Sequence, residues 1–267
     1  MKIKMFIVTY NNNNVLQEYA LDSLEQSNYP KGDIEINIID NYGDVSIDTQ
    51  DIKVLKNNLR SKKSTGHLSR TWNQSIILGF GNLDQSECDA VIAVQDDTKF
   101  NKNWYKNLCT VLEKYDYVTF GAGDQLQVFT PVSVKNIGLY DERFCSLSVQ
   151  AADYLLRAVR FYPDKVSIND YYHKRVYNAV DQQFNLIDKT PTGFLRGANS
   201  HKAALPYNKI NIHFFKQKWG ESAKLTDWCV EHIKNFNVLV PSFIYYPYFE
   251  EKINKSCLTA QKYNIWF

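Results

Sequence analysis

Three short apolar runs, each stopped by a polar cluster, constrain this chain most. Lys2–Val8 runs into Thr9-Tyr10 and four asparagines, Asn11–Asn14. Ile34–Ile39 stops at Asp40-Asn41-Tyr42-Gly43-Asp44, and Ala90–Val94 stops at Gln95-Asp96-Asp97-Thr98. Runs this short and this continuously apolar suit strands buried on both faces, as in a parallel sheet. Between them lie helical spacings: Val15–Gln26 through Leu16, Tyr19/Ala20 and Leu24, and a longer pattern from Thr65-Gly66 through Leu68, Trp72, Ile76/Ile77 and Phe80, ended by Gly79 and Gly81. Lys53–Leu55 reads as a weak strand, Asn103–Lys114 as a helix, and Tyr117–Phe120 and Gln125–Phe129 as strands. Strand and helix in alternation predict an α/β fold with a parallel sheet. In such sheets ligands bind beyond the carboxyl ends of the strands, where the three polar clusters converge.

The second half is expected to be more helical, with patterns at Ala151–Phe161, Ile168–Ile187 and Lys224–Phe236. Ser167 and Asp170 are spaced like a capping box. Asp188–Pro206, with Pro191, Gly193, Gly197 and Asn199, reads as a loop. No Gly/Ser/Pro linker divides the chain. The expected organisation is a catalytic domain over 1–215, with a nucleotide-binding half of about 1–100 and an acceptor half of about 101–215. A helical extension over 216–267 packs on it.

Composition narrows the function classes. Lys+Arg 31 against Asp+Glu 29 gives a net charge of +2, which argues against a nucleic-acid partner. The five cysteines include no CxxC and the five histidines no HxxxH, so zinc-ribbon, thioredoxin-type and zincin-type sites are excluded on spacing. Reduced thiols in a cytoplasmic protein are the expectation. No run has the signal-peptide pattern or the roughly 20 apolar residues of a transmembrane segment. The aromatic content of 14% hints at sugar binding, but rings such as Phe6, Trp72 and Phe236 fall in core patterns, leaving Tyr10 and Trp219 as specific candidates.

Asp96 and Asp97 follow a buried strand directly. Adjacent acids there require something to offset their charge. Mg²⁺ or Mn²⁺, held by one or two carboxylates plus substrate phosphates, is one answer; an exposed turn that caps the next helix is the other.

Taken in order, these pieces resemble the GT-A glycosyltransferases, in particular family 2. Phe6–Asn11 resembles the opening strand and nucleotide loop. Ile38–Asp44 resembles the second strand and acidic turn, and Asn58 through Asn73, with Gly66, the glycine-containing segment and helix. Gln95–Thr98 is similar to the DxD-type motif, and Ile137–Phe144 to a Gly-x-Phe-Asp-Glu-x-Phe stretch. Asp153–Arg157 is similar to an Asp-Leu-x-x-Arg, and Lys218-Trp219-Gly220 to a Lys-Trp-Gly motif. The chain departs from the family at Gln95, where many members carry Asp. It departs again at Gln150-Ala151-Ala152-Asp153, where Glu-Asp-x-Asp is usual.

The resemblance implies a Rossmann-like, mostly parallel GT-A sheet flanked by helices. It also implies a nucleotide-diphosphate-sugar donor of UDP or GDP type, a glycan acceptor and inversion at the anomeric carbon. Thr9, Tyr10 and Asn11 would line the base and ribose. Asp40 would accept from a base N–H, and Asn73 would join the donor site. Asp97 would ligate the metal and Asp96 would contact ribose or a metal-bound water. Arg60, beside Lys62 and Lys63, pairs with the diphosphate or is a solvated face. Asp153 would be the general base, with a helix N-cap as the plainer role and Asp141 and Glu142 as substitutes. Arg157, one turn on, is explained by a local ion pair. Trp219 stacks on a sugar or base, or is core; His213 is a metal neighbour or an ordinary part-buried histidine. The rival reading is a non-catalytic nucleotide-sugar or glycan-binding relative, favoured by Gln95 and Ala151. A dinucleotide-binding oxidoreductase is disfavoured, since Leu126 stands where Gly121-Ala122-Gly123 would need its third glycine.

Overall fold

The computed structural model describes residues 1–47, 51–57, 68–121, 125–142, 144, 149–170, 184–188, 211–216 and 218–219. Strand β1 is Ile3–Thr9, and the first helical stretch follows in three pieces: α1 (Asn13–Val15), a π-helical Leu16–Leu21 and α2 (Asp22–Glu25). Leu16, Ala20 and Leu24 are buried, as their spacing predicts. Next come β2 (Ile34–Asp40), β3 (Ile52–Lys56), α3 (Leu68–Phe80), β4 (Ala90–Gln95) and α4 (Trp104–Leu112). Then come β5 (Tyr117–Gly121), β6 (Leu126–Phe129), α5 (Pro131–Ile137), α6 (Val149–Phe161) and β7 (Val166–Asp170).

The strands form one seven-stranded sheet in the order β3-β2-β1-β4-β6-β5-β7. It is parallel except at β6, which pairs antiparallel with both β4 and β5. The fold class is therefore the α/β, Rossmann-like, mostly parallel sheet flanked by helices that the resemblance implies. The chain order along the sheet reverses at β1, with β2 on one side and β4 on the other, and this is the switch point where α/β folds bind ligands.

Alternation along the strands divides the core in two. Phe6 and Val8 face one layer with Trp72, Ile76 and Phe80 of α3 and with Tyr154 and Leu155 of α6. Ile3, Met5 and Ile7 face the other layer with Leu16, Leu24, Trp104 and Leu108. This is the period of two expected of a strand buried on both faces.

Two expectations are corrected, and two details are added. Ile168 does not begin a helix: Val166–Asp170 is strand β7, parallel to β5, so the capping-box spacing of Ser167 and Asp170 falls within a strand. The apolar/polar alternation Val166-Ser167-Ile168-Asn169 is a strand signal that the capping pattern obscured. β6 is the antiparallel strand of the expected mostly parallel sheet. Gly79 does not end α3: it lies inside, because a Cβ there would sit 2.2 Å from Val91 Cγ2 of β4. The helix stops at Gly81, whose φ of +65° is the left-handed cap conformation. Helix α5 was missed, although Thr130 accepts from Ser133 N at 3.2 Å in a reciprocal cap and Pro131 occupies the first turn.

The expected helix at Lys224–Phe236 and the C-terminal extension beyond Trp219 lie outside the described residues. No helix among the described residues is long and apolar enough to cross a membrane. Cys88 is buried and Cys109 half-buried, both as free thiols; burial pushes the Cys88 thiol up to about 11.

Candidate active site

Parallel pairing aligns the carboxyl ends of β1, β2 and β4. Thr9 lies opposite Asp40, and Val8 opposite Gln95. The three polar clusters therefore meet at one sheet edge, as the sequence predicts. Thr9 Oγ1 donates to Asp96 Oδ2 at 2.6 Å, and Asp96 N donates to Val8 O at 3.1 Å. The first bond fixes the Asp96 carboxylate over the end of β1. Thr9, Asp96, Asp97 and Thr98 are all buried.

Tyr10 is half-buried and stacks edge-on to Tyr42 with centroids 5.3 Å apart. The contact joins the loops that follow β1 and β2. Burial, and then Tyr42, raise its phenol pKa. Asn11 is exposed in the left-handed region at φ 49°, which asparagine tolerates better than most residues. Asn13 Nδ2 donates to Asp44 O at 3.2 Å, tying the two loops together.

Asp40 bonds to its own loop. Its Oδ1 accepts from Tyr42 N at 2.9 Å and Gly43 N at 2.6 Å, and its Oδ2 from Val45 N at 2.9 Å. It is fully buried, and it shapes the loop from beneath as a turn cap. Asn73 is likewise turned inward. Its Nδ2 donates to Tyr140 O at 2.9 Å and Glu142 Oε1 at 2.8 Å, and its Oδ1 accepts from Tyr140 N at 2.6 Å. It clamps α3 to the segment after α5.

A second group lies under the other half of the fold. Asp153 of α6 is buried, with Arg157 Nε 3.1 Å from Oδ2 and Lys218 Nζ 2.7 Å from Oδ1. Trp219 Nε1 also donates to Oδ1, at 2.9 Å. Lys218 Nζ bridges to Asp141 Oδ2 at 3.0 Å, and Arg157 donates to Ile137 O at 2.9 Å. Two acids and two bases thus make a neutral buried cluster that joins α6, the end of α5 and the Lys218-Trp219 segment. Trp219 is buried against Phe215, the core placement that the sequence offered as one alternative. Tyr140 and Tyr154 stack beneath the cluster at 4.1 Å, and the Arg157 guanidinium lies 4.8 Å over Tyr154.

Burial raises the Asp153 pKa, but Lys218 and Arg157 outweigh it and hold the carboxyl below its ordinary value of 3.8. Its pairing therefore stabilises the fold fully above that ordinary value. The contribution shrinks as pH falls below it and is gone below the folded-state pKa. Acid denaturation should show a steeper loss of stability below about pH 4 in wild type than in Asp153→Asn, followed by circular dichroism. Equal acid slopes would contradict the pairing.

His213 is exposed on the helix over 211–216, with its ring 6.2 Å from that of Phe214. Arg60, Lys62, Lys63 and Gly66 lie outside the described residues. Among those described, no three His, Cys, Asp or Glu gather as a metal cage. The Asp96-Asp97 pair fits the other way of holding Mg²⁺ or Mn²⁺, in which one or two carboxylates are completed by substrate phosphates and water.

No protein-family model and no curated protein matches the chain. Solved structures with some likeness include S. aureus TarS 1-349, at 17% identity over 64% of this chain and 58% of that one, with a TM-score of 0.45. The same protein in complex with UDP-GlcNAc gives 16% over 64% and 56%, with a TM-score of 0.43. The mannosyltransferase PcManGT from Pyrobaculum calidifontis, in complex with GDP-Man and Mn²⁺, gives 13% over 65% and 59%, with a TM-score of 0.40. The chain thus spans less than two thirds of the length of each.

Proposed function

We propose that this protein is a glycosyltransferase that takes a sugar from a UDP- or GDP-type donor to a glycan hydroxyl. The observation that carries the reading is the meeting of Thr9, Tyr10 and the Asp96-Asp97 pair at the switch point of the sheet, bonded through Thr9 Oγ1 and Asp96. Tyr10 and Asn11 border the nucleoside, with Asp40 holding their neighbouring loop in shape. Asp97, with Asp96 oriented by Thr9, would hold Mn²⁺ or Mg²⁺. When bound, the ion would supply charge neutralisation to a departing nucleoside diphosphate. The chain's own part is to bind and orient the donor at the strand ends and to exclude water there.

The surroundings of Asp153 favour an anchoring role over the base role expected of it. A general base needs an oxygen facing the acceptor and a pKa near the working pH. Asp153 is buried, ion-paired on both oxygens and depressed in pKa. The same cluster, with Ala151 buried beside it, favours a second reading: a relative that binds nucleotide sugar without transferring it.

Release of UDP or GDP from nucleotide sugars over a glycan acceptor panel with Mn²⁺ tests both readings. Transfer is expected in wild type. In Asp153→Asn the melting temperature should fall, while activity per folded molecule stays within about tenfold. A loss of 10²-fold or more at an unchanged melting temperature would restore Asp153 as base. Binding without release across the panel would select the second reading.

A further inference from the structure

Gln125 stands immediately before β6 and beside the acidic turn: its carbonyl accepts from Gln95 N at 2.9 Å and from Thr98 Oγ1 at 3.5 Å. Its side chain is only 8% exposed, and its buried amide nitrogen has no hydrogen-bond partner. A buried amide donor left unpaired is destabilising, so its presence calls for an explanation. Gly121, at the end of β5, makes the space the amide occupies. A Cβ there would lie 2.4 Å from Gln125 Oε1 and 2.8 Å from Ile187 Cδ1, and φ is +80°.

The sheet order gives the place of Gln125 along the carboxyl edge. Across the carboxyl edge the sequence is the Asp40 loop on β2, the Thr9–Asn11 loop on β1, the Asp96–Thr98 turn on β4, and then Gln125 at β6. Neighbouring strands are about 4.8 Å apart. With the nucleoside over β2 and β1 and the diphosphate at the β4 turn, the next strand falls beneath the group attached to the diphosphate. That group is the sugar. We infer that Gln125 is a specificity-determining residue of the donor site, its amide N–H donating to a hydroxyl oxygen of the transferred sugar. The inference rests on the donor-binding reading above.

Gln125→Met keeps the length of the side chain and removes its donor; Gln125→Glu keeps its shape and reverses its hydrogen bonding. Calorimetric titration of each with UDP, GDP, UDP-GlcNAc and GDP-mannose, all with Mn²⁺, is the test, alongside ligand-free melting temperatures. Gln125→Met should melt no lower than wild type, because an unpaired polar group has been replaced by an apolar one. Its affinity for the sugar-bearing donor that wild type binds should fall roughly 3- to 10-fold, the loss of one net hydrogen bond. Affinity for the matching free nucleotide should be unchanged, and Gln125→Glu should weaken the same donor. A lower melting temperature in Gln125→Met, equal losses for nucleotide and nucleotide sugar, or no loss in either variant would overturn the assignment. If wild type binds none of the four, the donor-binding reading falls and this inference with it. If wild type binds and the variants bind as tightly, this inference alone falls.

Discussion

Replacing Lys218 with methionine is expected to destabilise the folded chain by about 3–5 kcal/mol, the usual effect of removing one partner from a buried ion pair. The ammonium lies 3.0 Å from Asp141 and 2.7 Å from Asp153, and all three side chains are at most 2% exposed. Without it, two carboxylates remain in a region of low dielectric with Arg157 as the cation bonded to Asp153. Pairing the change with Asp141→Asn should recover much of the loss, because one of the uncompensated charges goes with it. Thermal and urea denaturation of the single and double variants measures this. A drop in melting temperature on the order of 10 °C is expected for Lys218→Met, at roughly 2–4 °C per kcal/mol. Additive effects in the double variant would show that Lys218 and Asp141 do not share one cluster.

The second large effect is at Asp97. Asp97→Asn keeps the shape of the side chain and removes the charge that would hold a divalent cation. A metal ion contributes several kcal/mol of charge stabilisation to a leaving phosphate. At 1.36 kcal/mol per decade, transfer should fall by at least about 10²-fold. Asp97 is 2% exposed, so the variant's fold must be checked by its melting temperature. A variant that folds and retains full Mn²⁺-dependent transfer would exclude Asp97 as the ligand.

Much of the fold was legible because continuous apolar runs and helical spacings are local signals. β1, β2, β4 and β5 lie within a residue or two of their expected bounds. Strand direction is different: the four residues Leu126–Phe129 read the same whether β6 runs parallel or antiparallel, and what decides is pairing with β4 and β5. The site was legible in outline for the same reason, since strand ends follow from strand positions. What the residues there bond to was not. Asp40, Asn73, Asp153, Lys218 and Trp219 are polar or aromatic residues in motif-like contexts, and either a substrate or another part of the chain satisfies such groups. Their partners here are mostly distant in sequence, from Tyr140 for Asn73 to Lys218 for Asp141, so the choice depends on tertiary packing. Asp40 and the Asp153–Arg157 pair are the local exceptions, signalled by the Asp-Asn-Tyr-Gly turn and by the spacing of four residues. The Thr9–Asp96 bond spans 87 residues and follows only from the pairing of β1 with β4.

The most direct test of the account is calorimetric titration of the wild-type chain with UDP- and GDP-sugars, with Mn²⁺ and again with the metal chelated. Saturable binding of one nucleotide class that weakens sharply on chelation, and equally in Asp97→Asn with metal present, is the predicted result. No binding of either class, or affinity indifferent to both the metal and Asp97, would contradict a metal-assisted nucleotide-sugar site at the ends of β1 and β4.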